Sequence, residues 1–318
     1  MLNILITGAN GFIGRHLTNY LNNLGYNISC IGHNLNDKIN ISDNGYLKNW
    51  ISGDINQTNL QKVYSKQKPD LIFHLAGGAT VSQAEKNPEE DYFKNVTSTY
   101  ELLEHIRLNS PQVKLVLASS ASVYGANFSV PIKENDKIEP CSVYGKNKRK
   151  AELLCQHYLK THNINYSIIR FFSVYGPGLK KQLLWELSMR LYKNQLPLVL
   201  GGTGKEIRDW IYIDDAIKLL AFIGIKKINT SKGLIVNGGT GVGKTVKQIT
   251  ELVAKEWNNN ILTSSKIKFK FSGQKRFADP FSLVSNSEKL FNLGTSCKIF
   301  TDKGIKSYIE WFKKEQKL

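Results

Sequence analysis

The start of the chain carries the pattern that most restricts its fold, a short apolar strand running directly into closely spaced glycines. A Leu-Asn-Ile-Leu-Ile-Thr run precedes Gly8, Gly11 and Gly14, which stand at intervals of three. Apolar residues at near-helical spacing follow and predict an amphipathic helix over 12–24. Such glycines let a backbone approach a pyrophosphate at a helix N-terminus, where unpaired N–H groups favour negative charge. The pattern predicts a dinucleotide site, with an ordinary strand–turn–helix unit as the alternative.

Strands and helices alternate through the first half of the chain. This alternation indicates an α/β fold with a Rossmann-like, doubly wound parallel sheet. The predicted strands are Leu2–Thr7, Asn27–Ile31, Asp70–Leu75, Val113–Ala118 and Ser167–Phe171, and the predicted helices lie near 12–24, 57–67, 88–107 and 143–162.

The alternation loosens after about residue 172, where turns containing glycine and proline appear. We therefore expect an NAD(P)-binding domain over 1–172, to which 212–240 return. The remaining segments, 173–211 and 241–318, are expected to form a smaller mixed α/β substrate lobe.

Composition excludes several classes of protein. The 318 residues are 41% hydrophobic and 22% charged, as in ordinary globular proteins, and no apolar run reaches the roughly 20 residues of a membrane span. The net charge is +17, but only seven of the 43 basic residues are arginines and the lysines are scattered. This indicates solvated basic faces that attract anionic ligands, and no nucleic-acid partner. No signal peptide, Cys-x-x-Cys pair or metal site is predicted, which favours a cytoplasmic protein.

A candidate catalytic set lies in the middle of the chain. Tyr144 and Lys148 stand four residues apart at the start of a helical segment and therefore share one face. A phenol needs a pKa shift of roughly 3 units to act as a base near neutrality, which a neighbouring ammonium and a nicotinamide cation can supply. The spacing is not specific, since Tyr64 and Lys68 repeat it; we interpret that pair as a solvated surface pair. Ser120 follows a predicted strand at the edge where open α/β sheets bind ligands.

Eight segments in a fixed order extend the pattern over nearly the whole chain. They are Thr7–Gly14, Gly53–Ile55, His74–Gly78, Asn95–Val96, Ser119–Gly125, Tyr144–Lys148, Arg170–Gly178 and Gly202–Asp215. In these segments the chain resembles the extended short-chain dehydrogenase/reductases that act on nucleotide sugars, in particular the UDP-glucose 4-epimerase type.

The resemblance implies a role for each matching residue. Tyr144 would be the general acid/base, Lys148 would hold the nicotinamide ribose and lower the tyrosine pKa, and Ser120 would bind the C4 oxygen of the sugar. The implied cofactor contacts are Gly8, Asn10, Gly11, Phe12, Ile13, Gly14, His33, Asp54, Ile55, Leu75, Ala76, Gly77, Asn95, Ala118, Tyr144, Lys148 and Phe171. The implied substrate contacts are Ser120, Ser122, Ser173, Arg208 and Arg276, the arginines being suited to clamping a diphosphate.

Departures from the family pattern restrict the reaction. The chain has Ser120-Ala121-Ser122 where the sugar 4,6-dehydratases carry Thr-Asp-Glu, which argues against a dehydratase. The second strand lacks an acidic residue near Gly32, so NAD and NADP both stay open, and His33 could tolerate a 2′-phosphate. Ser173 stands where many epimerases have asparagine, which puts one sugar or diphosphate contact in doubt.

We therefore expect an enzyme, an NAD(P)-dependent nucleotide-diphosphate-sugar epimerase that works through a 4-keto intermediate. The alternatives are an NADPH-dependent 4-keto-(deoxy)sugar nucleotide reductase and a non-catalytic NAD(P)-binding regulator, the latter disfavoured by the intact Ser120, Tyr144 and Lys148. A homodimer through helices 88–107 and 143–162 is expected. Its candidate contacts, which could equally pack on the sheet, are Leu102, Leu103, Ile106, Leu153, Leu154 and Tyr158.

A second glycine-rich segment, Gly238–Thr245, satisfies the Walker A pattern between a predicted strand and helix. No hydrophobic run ending in an acidic residue follows to hold magnesium. The resemblance also implies a turn at this point. We therefore interpret the segment as a connection rather than a nucleotide-binding loop.

Overall fold

The computed structural model describes residues 2–33, 49–78, 80–126, 131–226, 233–258, 267–274 and 280–318. The chain forms two units. The first comprises Met1–Gly125, Lys137–Phe171 and Ile217–Asn237, and the second comprises Ala126–Asp136, Phe172–Ala216 and Gly238–Leu318.

The strands within the described ranges are β1 (Asn3–Thr7), β2 (Asn27–Gly32), β3 (Trp50–Ser52), β4 (Leu71–His74), β5 (Lys114–Ser120), β6 (Tyr166–Phe171), β7 (Ser173–Tyr175), β8 (Leu198–Leu200), β9 (Ile207–Tyr212), β10 (Leu234–Gly238), β11 (Gly243–Thr245), β12 (Phe269–Phe271) and β13 (Ser282–Leu283). The α-helices are α1 (Phe12–Asn23), α2 (Gln57–Lys66), α3 (Val81–Lys86), α4 (Pro88–Tyr92), α5 (Ser98–Asn109), α6 (Val143–His162), α7 (Gln182–Tyr192), α8 (Ile213–Ile225), α9 (Val246–Asn258), α10 (Glu288–Asn292) and α11 (Thr301–Glu315). A π-helical turn, Phe93–Thr97, joins α4 to α5, and a 3₁₀ turn, Ala121–Val123, follows β5.

Seven strands form one sheet in the order β10-β6-β5-β4-β1-β2-β3. Every pairing from β6 to β3 is parallel. The apolar runs of β4 and β6 are buried along their whole length, as expected of strands covered on both faces. The strand order reverses between β1 and β4, so the carboxyl ends of these two strands border a crevice. The predicted Rossmann-like, doubly wound sheet is confirmed.

The single helix predicted over 88–107 is wrong in detail, because the π-helical turn interrupts it. The Asn95 side chain donates to the Asp91 carbonyl at 2.9 Å, and the Ser98 and Thr99 hydroxyls donate to the carbonyls of Lys94 and Asn95. Side chains that bond to carbonyls four residues back compete with the regular helical ladder. We attribute the wider turn to this run of three such bonds.

Most of the apolar residues expected at a dimer interface pack inside the first unit instead. Leu102, Leu103, Ile106 and Tyr158 are buried in its core, and Leu154 packs against the same cluster. The four buried side chains therefore follow the alternative, packing within their own unit, while Leu154 is half-buried. Leu153 differs, being 46% exposed.

Tyr64, interpreted as part of a solvated surface pair, is also buried. Its hydroxyl lies 2.8 Å from the Ser110 hydroxyl, and its ring meets the His105 ring edge-on at 4.4 Å between centroids. That interpretation was wrong, because Tyr64 faces the core from the inner side of α2 while Lys68 lies beyond the helix.

The second unit is built around β9. Strand β11 pairs with β9 in antiparallel orientation, while β7 and β13 pair with it in parallel. Strands β8 and β12 form a separate parallel pair. Helices α7, α9 and α11 contribute the aromatic rings of Trp185, Trp257 and Phe312 to a common cluster. The presence of a mixed α/β lobe beside the Rossmann-like sheet is confirmed.

Candidate functional site

The glycine turn after β1 brings separate stretches of backbone close together. Gly8 has a φ of +68°, and a Cβ added there would lie 2.6 Å from the Ala76 backbone nitrogen. A Cβ at Gly14 would overlap the carbonyl oxygen of Gly8. Gly11 is the N-cap of α1 and offers no side-chain cap to its first N–H groups. Because those groups are uncapped, the start of α1 has the geometry of an anion site.

A cavity of about 300 Å³ lies at the carboxyl ends of β1, β2 and β4. Nine predicted cofactor contacts line it: Gly8, Asn10, Gly11, His33, Asp54, Ile55, Leu75, Ala76 and Gly77. The structure adds six residues missed from the sequence: Ile31, Gly32, Gly53, Phe93, Lys94 and Ser98. The first three adjoin motif residues and could have been inferred from them. The last three lie in or beside the π-helical turn, which no local sequence signal announced.

At the end of β2, His33 and Asp54 interact directly. The Nε2 of His33 lies 2.7 Å from Oδ1 of Asp54, and the Asn10 side chain donates to the His33 carbonyl at 2.8 Å. Since residue 32 is glycine, the carboxylate at this rim of the cavity comes from Asp54 and is engaged by a histidine.

The start of α6 is fixed by two side chains. The Ser142 hydroxyl accepts from the Gly145 N–H at 3.0 Å, and the Glu85 carboxylate accepts from the Val143 N–H at 2.9 Å. These bonds satisfy N–H groups that a helix leaves unpaired. Tyr144 is thereby held in the first turn. The next turn carries Lys148, whose Nζ lies 5.9 Å from the Tyr144 ring centroid.

Burial shifts the two candidate catalytic groups in opposite directions. It raises the pKa of Tyr144 to about 12, with the charge of Asp91 adding to the rise and a hydrogen bond with Ser120 opposing it. It lowers the pKa of Lys148 to about 8, against the charges of Asp91 and Glu152. In both cases a low-polarity environment disfavours the charged form.

His74, the last residue of β4, is completely buried. Its ring nitrogens lie 2.7 Å from the Thr7 hydroxyl and 3.1 Å from the Thr99 hydroxyl. Burial, with a smaller contribution from the charge of Lys148, lowers the His74 pKa to about 3. His74 therefore acts as a fixed hydrogen-bonding spacer at physiological pH.

A buried ion pair joins β6 to α6, and hydrogen bonds join the end of β5 to the same helix. Arg170 donates to both carboxylate oxygens of Glu152 at 2.9 Å, and the Ser119 hydroxyl donates to Glu152 at 2.7 Å. Lys148 donates to the Ala118 carbonyl at 3.1 Å. These bonds fix Ser120, the next residue of the strand, relative to the helix.

The remaining predicted contacts of the first unit lie around this set. The Ser120 hydroxyl accepts from the Ser122 N–H at 3.2 Å, and the Ser122 hydroxyl is buried with no partner among the described residues. Phe171, opposite Ser120 in the register of β6, is buried. Phe12 and Ile13 form the first turn of α1.

Asn95 supplies a test of whether a dinucleotide fits. Its Oδ1 is buried and has no hydrogen-bond partner within the described ranges. A Cβ on Gly77 would lie 2.5 Å from this oxygen and 3.0 Å from Nζ of Lys148, so an acceptor and a cation converge on Gly77. An unpaired buried acceptor needs a donor, and a ribose hydroxyl is one. Asn95, Gly77 and Lys148 therefore fit the ribose of a bound dinucleotide.

Two predicted substrate contacts lie in the second unit, on neighbouring strands. Ser173 begins β7, opposite Trp210 of β9, and Arg208 is the second residue of β9. The Arg208 guanidinium donates to the Ile207 carbonyl at 2.8 Å. Arg276 lies outside the described residues.

The Walker-like segment folds around a side chain of the protein itself. The buried Asp209 carboxylate accepts from the N–H groups of Thr240 and Gly241 at 2.8 and 2.9 Å, and from the Thr240 hydroxyl at 2.6 Å. The segment then continues as β11, in which Lys244 lies 3.6 Å from Asp302. Two of the backbone N–H groups that a phosphate would need are thus already bonded to Asp209, as in a connecting turn.

The doubly wound sheet, the glycine turn and the Ser120, Tyr144 and Lys148 set define an enzyme of the short-chain dehydrogenase/reductase class. A family model narrows this class further, since it matches residues 4–239, three quarters of the chain. The chain belongs to the NAD-dependent epimerase/dehydratase family.

Individual relatives extend the similarity over almost the whole chain. A UDP-glucuronate 4-epimerase of Thermodesulfobacterium geofontis is 27% identical over 333 residues, 99% of this chain and 97% of the relative. A crystal structure of the Bacillus cereus UDP-glucuronic acid 4-epimerase, in complex with UDP-glucuronic acid and NAD, has a TM-score of 0.87 at 26% identity and covers 99% of this chain and 100% of its own. The Thermotoga maritima UDP-glucose 4-epimerase with UDP-glucose has the same TM-score at 25% identity, with the same coverage.

Three further observations concern possible partners. No helix in the part of the chain that the structure describes is long and apolar enough to cross a membrane. The same residues hold no group of three or more His, Cys, Asp or Glu side chains able to bind a metal ion. The four cysteines form no disulfide.

Proposed function

We propose that the chain is an NAD(P)-dependent nucleotide-diphosphate-sugar 4-epimerase. The observation that carries the proposal is the pairing of Tyr144 with Ser120 at the carboxyl end of β5, with Lys148 one helical turn away. The relatives described above act on UDP-glucose or UDP-glucuronic acid. A UDP-hexose or UDP-hexuronate is accordingly the proposed substrate.

In this mechanism Tyr144 exchanges the reacting proton. Its phenolate takes the proton of the C4 hydroxyl, and the same proton returns to the C4 oxygen at the end of the cycle. Ser120 donates a hydrogen bond to the C4 oxygen, and the Lys148 ammonium binds the ribose and stabilises the phenolate. When bound, the dinucleotide supplies reversible hydride chemistry and a nicotinamide cation. Arg208 and Arg276 would hold the diphosphate while the 4-keto sugar rotates to present its other face.

The test is conversion of one C4 epimer into the other. The purified protein is incubated separately with UDP-glucose and UDP-glucuronic acid, with added NAD, and the products are resolved by chromatography. We expect epimer formation without net consumption of cofactor. If the NAD-loaded protein converts neither sugar, the proposed function fails.

A 4-keto sugar reductase is the second candidate, favoured by the glycine at position 32 and by the His33–Asp54 pair beside it. A reductase must exchange its cofactor at each turnover, whereas an epimerase regenerates it. Cofactor that remains bound through dialysis supports the epimerase. An empty protein that oxidises NADPH in the presence of a 4-keto nucleotide sugar supports the reductase.

We also propose that two copies pair through the outer faces of α5 and α6. Tyr100, Leu108 and Leu153 are exposed on these helices. Leu153→Glu should convert the dimer to monomer in sedimentation velocity, because it places a charge in an apolar interface. Leu24→Glu, at an exposed leucine elsewhere, is the matched control. A wild-type protein that sediments as a monomer contradicts this proposal.

A further inference from the structure

Asp91 is a buried carboxylate that the reaction scheme above does not use. It lies in α4, just before the π-helical turn, and is 5% exposed. The Asn147 side chain donates to its Oδ2 at 2.9 Å. A Cβ added to Gly78 would overlap its Oδ1, so the carboxylate rests directly on the glycine backbone. Burying a carboxylate is costly unless an opposite charge or several hydrogen bonds compensate for it.

Lys148 provides the opposite charge, because its ammonium lies beside Gly77 and the Asp91 carboxylate lies beside the next residue, Gly78. Lys148 is buried, and a Cβ on Gly77 would lie 3.0 Å from its Nζ, while a Cβ on Gly78 would meet Asp91. Asn147, which holds Asp91, immediately precedes Lys148 in α6. The geometry thus brings a carboxylate of α4 close to the catalytic lysine and links the two through one helix.

The other titratable groups near Lys148 contribute less than Asp91 to raising its pKa. His74 of β4 is neutral, and Tyr144 of α6 stays protonated up to about pH 12 in the protein's own field. Glu152 of α6 is already paired with both Arg170 and Arg149. Asp91 is therefore the larger of the two carboxylate contributions that raise the Lys148 pKa, and Glu152, which is shared with two arginines, is the smaller.

We propose that Asp91 is a positioning residue for Lys148, holding its ammonium in place and protonated over the working pH range. The inference rests on the proposed function in that Lys148 is the residue that binds ribose and stabilises the Tyr144 phenolate. A cavity of about 180 Å³ borders Asp91, Gly77 and Gly78 and is also lined by Gln83, Asn87 and Glu90.

The direct test is the titration of Lys148 in the full-length protein, followed by NMR after ¹³C labelling of the lysine side chains. Lys148→Met identifies the resonance. We expect a wild-type midpoint near pH 8, as burial sets it. Asp91→Asn should lower this midpoint by about one pH unit, since the opposing charge is gone. Glu89→Gln removes an exposed charge from the same helix and should leave it unchanged.

Activity gives an independent readout. The alkaline limb of the kcat profile should move to lower pH in Asp91→Asn and not in Glu89→Gln. Asp91→Ala replaces Asp91→Asn if the latter does not fold. A variant that loses kcat equally at every pH, with an unmoved Lys148 midpoint, shows a merely structural role and overturns the proposal. If the midpoint shifts but the wild type epimerises no sugar, Asp91 still acts on Lys148 and the proposed function alone fails.

Discussion

At the scale of single residues, the site sets burial against charge. In the proposed mechanism Tyr144 and Lys148 both carry charge, yet burial favours the neutral form of each. Ser120 lowers the tyrosine pKa, and Asp91 and Glu152 raise that of the lysine. Neighbouring side chains therefore offset part of the cost of charging Tyr144 and Lys148, and we expect the bound dinucleotide and sugar to offset the rest.

Replacement of Tyr144 by phenylalanine tests its acid/base role. Tyr144→Phe should reduce kcat by roughly 10²–10⁴-fold, because the proton-exchanging group is lost while packing is kept. NAD binding, measured by fluorescence titration, should persist. Tyr64→Phe is the matched control, since Tyr64 has the same spacing to a lysine but is bonded to Ser110 in the core. Full activity of Tyr144→Phe would rule out the mechanism.

The glycine turn permits a graded experiment. Gly14→Ala forces a Cβ into the Gly8 carbonyl, which is backbone and cannot give way, whereas a Cβ at Gly11 would lie 3.1 Å from the same oxygen. Gly14→Ala should cost about 1–3 kcal/mol of unfolding free energy and weaken NAD binding, and Gly11→Ala should cost less. Urea unfolding and calorimetric NAD titration measure the two effects. Equal effects would show that the close approach is unimportant.

At the scale of elements, the cap of α6 positions the catalytic turn. Ser142→Ala removes the hydroxyl that accepts from Gly145 and should lower the unfolding free energy by about 1 kcal/mol. Ser287 is also an N-cap, of α10, but its side chain makes no capping bond. Ser287→Ala should therefore have little effect in the same urea titration. A similar loss in both variants would exclude capping as the cause.

Elements whose cause is local could be predicted from the sequence. The strand, glycine turn and helix at the start of the chain follow from periodicity and from the steric needs of Gly8 and Gly14, and the structure gives α1 as Phe12–Asn23. The π-helical turn could not be predicted. Its geometry depends on side-chain bonds back to the helix carbonyls, and helical periodicity contains no signal for these.

The candidate site likewise contains residues that local motifs predict and one, Asp91, that only the tertiary structure shows. Nine of the predicted cofactor contacts line the cavity of the first unit, and all nine belong to short motifs at strand ends. Asp91 was missed because the sequence does not tell which of 26 acidic residues is buried. Its position depends on Gly78 and Asn147, which come from different segments of the chain. Contacts of this kind require the tertiary structure.

At the scale of the whole molecule, the catalytic lysine should reduce stability. The folded-state pKa of Lys148, about 8, lies below its ordinary value of 10.5. The unfolded state therefore binds more protons in between, so this cost is complete below about pH 8 and disappears as the pH rises to 10.5. Lys148→Met should be inactive, and the difference in unfolding free energy, variant minus wild type, should fall by about 2 kcal/mol between pH 7 and pH 9.5, because the wild type loses this cost as the pH rises and the variant does not carry it. Urea titrations at pH 7 and 9.5 measure this; a difference that does not change with pH would contradict it.

The turn around Asp209 differs from a phosphate-binding loop in the source of its anion. A phosphate-binding loop waits for an external anion, and its amides stay exposed until one arrives. Here the anion is the Asp209 carboxylate of the protein itself. The position that a phosphate would take is therefore filled once the second unit has folded. The same eight-residue motif can therefore form either a nucleotide-binding loop or a connecting turn that binds a side chain of its own protein. Asp209, on another strand, decides between the two.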